Sequence, residues 1–249
     1  MTVAYDGSSY YGFQRQPNTL TIESKLTEAI ELFFGTKVNL SYAGRTDSQV
    51  HASNQIVVVT VNVKRDVSLV VLGVNRYLPN SINILDASLC DSVFHPRFDA
   101  KYRVYSYAFT SENVPFYLKN FLVPVQFYPK QSCFKKFSDI ISGTHDFKGM
   151  IKKNSNNFTT VRTIIKCDMY QDKIKDLYDF EKVIPVYQIK ITADAFLYRM
   201  VRNLISLYFS LEKNKITTET IFQLINGKCD RINIKPVPAY GLTLLNVVY

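Results

Sequence analysis

One segment organises the rest of the chain, and it reads Ala43-Gly44-Arg45-Thr46-Asp47-Ser48-Gln49-Val50-His51-Ala52. Residues 38–42 before it alternate apolar and polar side chains, a period of two that predicts a half-buried strand. Residues 55–61 after it are rich in β-branched side chains, which predicts a second and more buried strand. The segment is therefore predicted to be a loop held between two strands, a common place for binding and catalytic groups. The alternative is a polar turn in which Arg45 and Asp47 form a surface pair of little energetic value.

Length and composition restrict the class of protein. A chain of 249 residues can build one large core or two modest ones, and its 47% hydrophobic and 20% charged residues are typical of globular proteins. The net charge of +9 favours a polyanionic partner. The sequence has no apolar run of the length that a membrane span requires and no secretory signal pattern, so we expect nucleic acid and no membrane.

The cysteines and histidines argue against a metal site. The four cysteines are far apart and form no C-x-x-C pair: Cys90, Cys133, Cys167 and Cys229. This spacing argues against a zinc knuckle, and sparse cysteine suits a reducing compartment. The chain has three histidines and no His-Glu-x-x-His motif, so we expect a cytoplasmic protein without a catalytic metal.

The first part of the chain predicts strand, helix, strand, strand, helix, strand. Residues 21–34 carry a helical apolar stripe that ends at Gly35: Ile22, Leu26, Ala29, Ile30 and Phe33. Residues 66–78 are a second helix candidate with its own stripe: Leu69, Leu72, Val74 and Tyr77. This order predicts an α+β fold with helices on one face of a mostly antiparallel sheet. The polar and aromatic residues 94–100 are interpreted as a boundary, which predicts two halves, 1–95 and 96–249.

The second half again mixes strands and helices. Residues 103–109 alternate so that one face carries Arg103, Tyr105, Tyr107 and Phe109, which fits an RNA-facing surface or, alternatively, an amphipathic core strand. Further helices are predicted at 134–141 and 217–226, and further strands at 161–170, 186–192 and 244–249. The clearest helix is predicted at 196–211, with Arg199 and Arg202 on one face, one turn apart.

Other segments carry polar groups. Residues 10–16 combine three aromatic rings with Arg15, a mixture that can stack on bases and contact phosphate or can pin a loop to the core. The pair His145-Asp146 is weak evidence of acid–base chemistry, and a structural loop is the preferred interpretation. Residues 148–157, around Lys152, are basic and rich in asparagine, which predicts an exposed loop that contributes to RNA binding.

Six blocks of this sequence resemble the TruA-type tRNA pseudouridine synthases. They are residues 5–16, 43–52, 97–105, 143–147, 196–203 and 238–242, in the order in which that family has them. The resemblance implies two α/β halves that share a continuous, mainly antiparallel sheet, with helices packed on one side and a cleft between the halves. It also implies a homodimer in which each tRNA bridges both subunits, and a target uridine at position 38, 39 or 40 of the anticodon arm.

The chemistry that the resemblance implies converts uridine to its C-glycoside isomer. Asp47 matches the family's catalytic carboxylate and acts either as nucleophile at C1′ or as base at C2′; the sequence leaves both open. Arg202 matches the guanidinium that keeps this carboxylate ionised, and Tyr105 matches the tyrosine that stacks on the flipped uracil. Neither a metal nor an organic cofactor is needed.

Five further residues are expected to contact the RNA. Arg45 is expected to help extrude the target nucleotide, and Leu242 to form an apolar wall of the site. Arg15, Tyr11 and Arg103 are expected to bind the RNA elsewhere on the same surface.

Position 49 departs from the family, which usually has Ala-Gly-Val-His where this chain has Ser48-Gln49-Val50-His51. If the loop needs a backbone angle open mainly to glycine there, Gln49 carries strain of about 1–3 kcal/mol. One alternative is therefore a catalytically weak RNA-binding or RNA-folding protein on the same scaffold. A second alternative, independent of position 49, is a phosphate-binding protein whose arginine-rich helix binds small anions.

Overall fold

The structure, a computed structural model, describes residues 1–63, 65–150, 159–179, 181–228 and 235–249. The fold is α+β, as predicted, with a large and mainly antiparallel sheet. The strands in the described residues are β1 (Thr2–Tyr5), β2 (Asn39–Tyr42), β3 (His51–Thr60), β4 (Ile82–Asp86), β5 (Tyr102–Thr110), β6 (Val123–Pro124), β7 (Gly143–Asp146), β8 (Val161–Lys175), β9 (Val183–Ala193) and β10 (Leu242–Val248). The α-helices are α1 (Ile22–Phe34), α2 (Val70–Asn75), α3 (Gln131–Ile141), α4 (Met200–Glu212) and α5 (Thr218–Ile225).

The described residues form two compact units, Met1–Arg103 with Thr243–Tyr249, and Val104–Leu242. The end of the chain belongs to the first unit because β10 pairs in parallel with β3, with Thr243 opposite His51 and Leu244 opposite Ala52. The predicted division into 1–95 and 96–249 places this last strand in the second half instead.

In the first unit the strand order is β4-β1-β3-β10, and β2 pairs with β3. The predicted succession of strands and helices is confirmed. The helix α1 begins after Thr21, whose side chain accepts a hydrogen bond from the Ser24 amide, and ends at Gly35 in the left-handed conformation. Its predicted apolar stripe is buried except at its last position, where Phe34 is buried and Phe33 is partly exposed.

The second helix of this unit is shorter than predicted, and its predicted stripe is confirmed at Val74 but wrong at its other three positions. A 3₁₀ turn, Val67–Leu69, precedes α2. Val70 and Val74, four residues apart on the helix, are its buried residues. The leucines and the tyrosine of the predicted stripe are exposed: Leu69, Leu72 and Tyr77. A helix of six residues has one buried face, and here that face is set by packing against α1 and β4.

In the second unit the strand order is β5-β9-β8-β7, and β6 pairs in parallel with β5. The strands β8 and β9 form an antiparallel hairpin that extends beyond both predicted strands. The helix α3 packs against α4, α5 and β8. On β5, Tyr107 and Phe109 are fully buried, so the core-strand interpretation is the correct one for that end of the strand.

The helix α4 begins four residues later than predicted. Arg199 is its N-cap and has a left-handed backbone with φ of 58°. Arg199 and Arg202 therefore do not share a helix face, and that prediction is wrong. The reason is that the chain turns at residues 197–200, where the Met200 amide donates to the Leu197 carbonyl, before the helix starts.

Two polar segments of the second unit are singled out from the sequence, the pair His145-Asp146 and the basic residues 148–157. His145 is in the strand β7 and not in the predicted loop, and it contacts the Ser142 carbonyl and the Asn226 side chain. The part of the predicted basic loop from 151 to 157 lies outside the described residues. No helix in the described parts of the chain is long and apolar enough to cross a membrane.

Candidate active site

The loop that carries Asp47 is eight residues long, 43–50, and lies between β2 and β3 in the first unit. The strand β3 starts at His51, four residues before the predicted start, because His51 and Ala52 pair with β10 and Ala52 pairs with Tyr5 of β1. The last two residues of the predicted loop are therefore part of the sheet. This pairing fixes the direction in which the chain leaves the loop.

Two glycines from the N-terminal segment let its backbone pack directly on this loop. A Cβ added at Gly7 would lie 2.1 Å from the Val50 carbonyl oxygen, a distance that no side chain tolerates. Gly12 has φ of 95°, and a Cβ there would lie 2.8 Å from the Thr46 carbonyl oxygen. Only glycine combines this backbone angle with such a close approach. The first of the six blocks that resemble the family, residues 5–16, thus packs against the loop and supports it.

Hydrogen bonds hold the residue before Asp47. Thr46 is buried; its hydroxyl lies 2.8 Å from the Tyr5 hydroxyl, and its carbonyl accepts the Phe13 amide at 3.1 Å. The Asp47 carbonyl accepts the Val50 amide at 3.2 Å, which closes a turn. Asp47 itself is partly buried. Its side chain thus extends from a backbone that is held on both sides.

The start of the loop is held by side chains from two strands. Gln55 on β3 is fully buried and donates to the Gly44 carbonyl at 2.8 Å. Arg103 on β5 donates to the Ala43 carbonyl at 3.3 Å and to the Arg97 carbonyl at 2.5 Å. A third hydrogen bond runs from Arg103 to the Ala100 carbonyl at 3.3 Å. Arg103, predicted from the sequence to contact RNA, thus binds the backbone of its own unit.

The end of the loop is held by a buried histidine. The Nδ1 atom of His51 accepts the Gly7 amide at 3.1 Å and lies 3.2 Å from a carboxylate oxygen of Asp6. The same carboxylate accepts the Ser8 amide at 2.9 Å. The sequence analysis missed His51, Asp6 and Gln55 as supports of the loop. The signal was present, because two of these residues lie within the quoted blocks around 5–16 and 43–52.

Two arginines act on one tyrosine beside the loop. The pKa of the Tyr42 phenol is raised, chiefly by partial burial and secondly by the charge of Glu23. The positive charges of Arg45 and Arg97 both act in the opposite direction. Both arginines are exposed to solvent, so this side of the loop carries positive charge.

Two other predicted RNA contacts, Tyr11 and Arg15, lie in the segment that supports the loop. Tyr11 is 61% exposed, although its amide donates to the Leu20 carbonyl. Arg15 is exposed, and its amide donates to the Glu23 carboxylate at 2.7 Å. Their backbones are thus fixed while their side chains meet solvent.

The second unit holds the other predicted site residues. Tyr105 is partly buried, and its ring meets Phe196 edge-on at 5.1 Å between centroids. Arg202 donates through Nε to the Val237 carbonyl at 2.9 Å. Leu242 is buried at the start of β10.

These residues lie on parts of the second unit that are joined by hydrogen bonds. Tyr107 donates to the Pro238 carbonyl at 3.1 Å, and Ser206 of α4 donates to the Lys235 carbonyl at 2.8 Å. The pKa of Tyr107 is raised strongly, mainly by burial, while the positive charge of nearby Arg202 acts in the opposite direction. Hydrogen bonds thus join α4, the strand β5 and the segment 235–242 within the second unit.

Comparison with known proteins identifies the family. A family model described as tRNA pseudouridine synthase matches residues 1–99 and 140–249. The chain belongs to this family. It is 32% identical over 254 residues to the tRNA pseudouridine synthase A of Caldicellulosiruptor bescii, and 31% identical over 251 residues to that of Clostridium kluyveri. Both alignments cover 100% of this chain and 98% of the relative.

A more distant relative gives the same result. The tRNA pseudouridine synthase A of Borrelia turicatae is 28% identical over 253 residues, which are 99% of this chain and 97% of that protein. Pseudouridine synthases are isomerases, so the expected family and enzyme class are confirmed. The catalytic and RNA-binding roles of individual residues stay predictions.

The strain expected at position 49 is present in the loop. Gln49 has φ of 66°, in the left-handed region, and its amide donates to the Tyr10 carbonyl at 3.2 Å. A residue with a Cβ pays about 1–2 kcal/mol for this conformation. The loop of this synthase therefore keeps a glycine-like backbone without the glycine, at a cost in stability.

Replacing Gln49 by glycine should stabilise the protein. Release of the strain adds about 1–2 kcal/mol to the free energy of unfolding. The greater conformational freedom of glycine in the unfolded chain lowers this gain by about 0.4–1 kcal/mol. We expect Gln49→Gly to raise the free energy of unfolding by about 0.5–1 kcal/mol, measured by urea denaturation. The matched control is Ser48→Gly at the exposed neighbour, where φ is not positive and stability should fall. A loss of stability in Gln49→Gly would contradict the strain.

Proposed function

We propose that this synthase isomerises uridine to pseudouridine in the anticodon stem–loop of tRNA, at positions 38–40, through the Asp47 carboxylate. The observation that carries the proposal is the support of Asp47. Asp47 follows a buried threonine, and its loop is held at both ends by close contacts with two glycines and by hydrogen bonds. A reacting group must keep its geometry to within a fraction of an ångström, and such a loop meets that need.

The reaction requires an ionised carboxylate at the sugar. The N1–C1′ bond breaks, the uracil turns and C5 bonds to C1′. C5 then loses its proton and N1 gains one, so that the product is an isomer of uridine. The Asp47 oxygen either attacks C1′ or takes a proton from C2′, and both routes remain open. The uridine must leave the base stack, because C1′ and C5 cannot be reworked within it.

The other roles rest on the family resemblance. Arg202 keeps the carboxylate ionised, Tyr105 stacks on the flipped uracil, and Leu242 is an apolar wall of the site. Arg45 contacts the RNA beside the target and helps to extrude it, which its exposure to solvent supports.

Arg15 and Tyr11 extend the RNA surface along the supporting segment, and their exposed side chains support this role. Arg103 keeps a proposed role at the RNA surface, although the bonds described above make it a support of the loop as well. We expect the enzyme to work in the cytoplasm, where a reducing compartment suits its sparse cysteines.

The central test is Asp47→Asn, which keeps the size of the side chain and removes its charge and its nucleophilic oxygen. Release of hydrogen from C5-labelled tRNA should become undetectable, while urea denaturation and tRNA binding remain close to wild type. Asp91→Asn, an exposed carboxylate of the same unit, is the control and should release hydrogen at the wild-type rate. Wild-type turnover in Asp47→Asn would remove the enzyme mechanism and favour the RNA-binding alternative.

A second test concerns the hydroxyl of Tyr105. If the ring stacks and the hydroxyl also moves a proton at C5, Tyr105→Phe should keep tRNA affinity but lower turnover by roughly 10²-fold. Tyr128→Phe removes an exposed hydroxyl that bonds Glu112 and serves as the control. Unchanged turnover in Tyr105→Phe would leave Tyr105 with a stacking role and no proton transfer.

The proposed assembly is a homodimer, with each tRNA bridging both subunits, as the resemblance implies. Light scattering at micromolar concentration should report twice the mass of one chain. A monomer under these conditions would contradict the assembly without affecting the assignment of Asp47.

A further inference from the structure

A short turn beside the catalytic loop is held rigidly. In residues 94–100, the Phe98 and Asp99 amides donate to the His95 carbonyl at 3.2 and 3.1 Å. The Asp99 carboxylate closes the turn by accepting the His95 amide at 2.8 Å. The Tyr249 hydroxyl donates to the Pro96 carbonyl at 2.8 Å. With the Arg103 bond to the Arg97 carbonyl, the backbone of this turn is fixed from both sides.

This rigid turn holds an aromatic ring in solvent. Phe98 is 74% exposed, so most of its surface meets water and adds little to the core. The His95 ring lies 4.3 Å from it between centroids, and the Arg97 guanidinium carbon lies 5.7 Å from its centre. A lone exposed phenylalanine needs no explanation. Here the ring is held on a fixed backbone with an arginine beside it, and that combination is what binding of a base and its phosphate requires.

The turn is connected to the loop of Asp47 through two contacts. The Arg103 guanidinium bonds both the Ala43 carbonyl at the start of the loop and the Arg97 carbonyl in the turn. The positive charges of Arg97 and Arg45 both lower the pKa of the Tyr42 phenol, against the effect of its burial. The exposed groups Arg45, Arg97 and Phe98 therefore lie on neighbouring parts of one surface.

Two carboxylates lie near this surface, and each accepts a backbone amide. Glu23 acts on Tyr42 and accepts the Arg15 amide. Asp99 accepts the His95 amide within the turn. The exposed side chain of Arg97 supplies a cation beside the ring, which suits a phosphate.

We propose that Phe98 and Arg97 form a second nucleotide subsite, in which an unpaired base of the substrate RNA stacks on the Phe98 ring and Arg97 contacts its phosphate. This inference rests on the proposed function, since RNA is the ligand. Flipping the target uridine leaves a neighbouring base without a stacking partner, and an aromatic ring can cover its exposed face. Stacking of this kind tolerates any base, so the subsite adds affinity without selecting sequence.

The test measures binding of a fluorescein-labelled anticodon stem–loop by anisotropy at fixed salt. Phe98→Ala should weaken the Kd by roughly 5- to 100-fold, the range expected for one stacked base. Phe98→Tyr keeps the ring and should bind within about 3-fold of wild type. Leu72→Ala, at a site that is 70% exposed on α2, is the matched control and should bind like wild type.

Arg97→Gln tests the phosphate contact separately. Losing one phosphate contact on a single strand should make the slope of log Kd against log salt shallower by about 0.7. A slope equal to that of wild type would overturn the role of Arg97.

A cycle with abasic nucleotides identifies the stacked base. Each loop nucleotide is replaced in turn by an abasic one, and each RNA is measured against wild type and Phe98→Ala. At one position the loss of the base should weaken binding to wild type but leave binding to Phe98→Ala unchanged. If Phe98→Ala binds every RNA as wild type does, the subsite is wrong.

The outcome is separable from the proposed function. Absence of hydrogen release by the wild-type protein would refute the isomerase mechanism. The ratios of the Kd values of the Phe98 variants to that of wild type would still test the subsite. An active wild type with unchanged Kd and kcat/KM in Phe98→Ala would refute the subsite and leave Asp47 in its role.

Discussion

The active-site loop depends on direct contact between two stretches of backbone with no side chain between them. Gly7 faces the Val50 carbonyl and Gly12 faces the Thr46 carbonyl at distances that exclude a Cβ. The N-terminal segment can therefore lie directly against the loop of Asp47 and donate the Phe13 amide to it. A larger residue at either glycine would separate the two stretches and release the loop.

Side chains complete what the glycines begin. Gln55 and Arg103 bind the carbonyls at the start of the loop, and His51 binds the Gly7 amide at its end. An arginine bonded to carbonyl oxygens supports the backbone, whereas an arginine in solvent is available to phosphate. Arg103 and Arg45 show that difference within one surface, because Arg103 is partly buried and Arg45 is exposed.

The loop keeps a left-handed backbone at position 49 although the residue there is not glycine. Gln49 takes the left-handed angle that usually calls for glycine, and its amide still reaches the Tyr10 carbonyl. The surrounding contacts impose this conformation, since strain of this size persists only where neighbouring structure overdetermines it. Such strain is common at functional sites, which agrees with the proposed place of Asp47.

Much of this protein could be predicted from its sequence because the signals are local. The period of α1, the capping Thr21 and the terminal Gly35 lie within fifteen residues, and the ordered blocks identify the family. Tertiary structure decided whatever depends on distant partners. The pairing of β10 extends β3 back to His51, a turn before Met200 removes Arg199 from its helix, and packing against α1 chooses Val70 and Val74 on α2. Side-chain periodicity reports which residues avoid water, but it does not report which strand supplies a hydrogen bond or where two backbones touch.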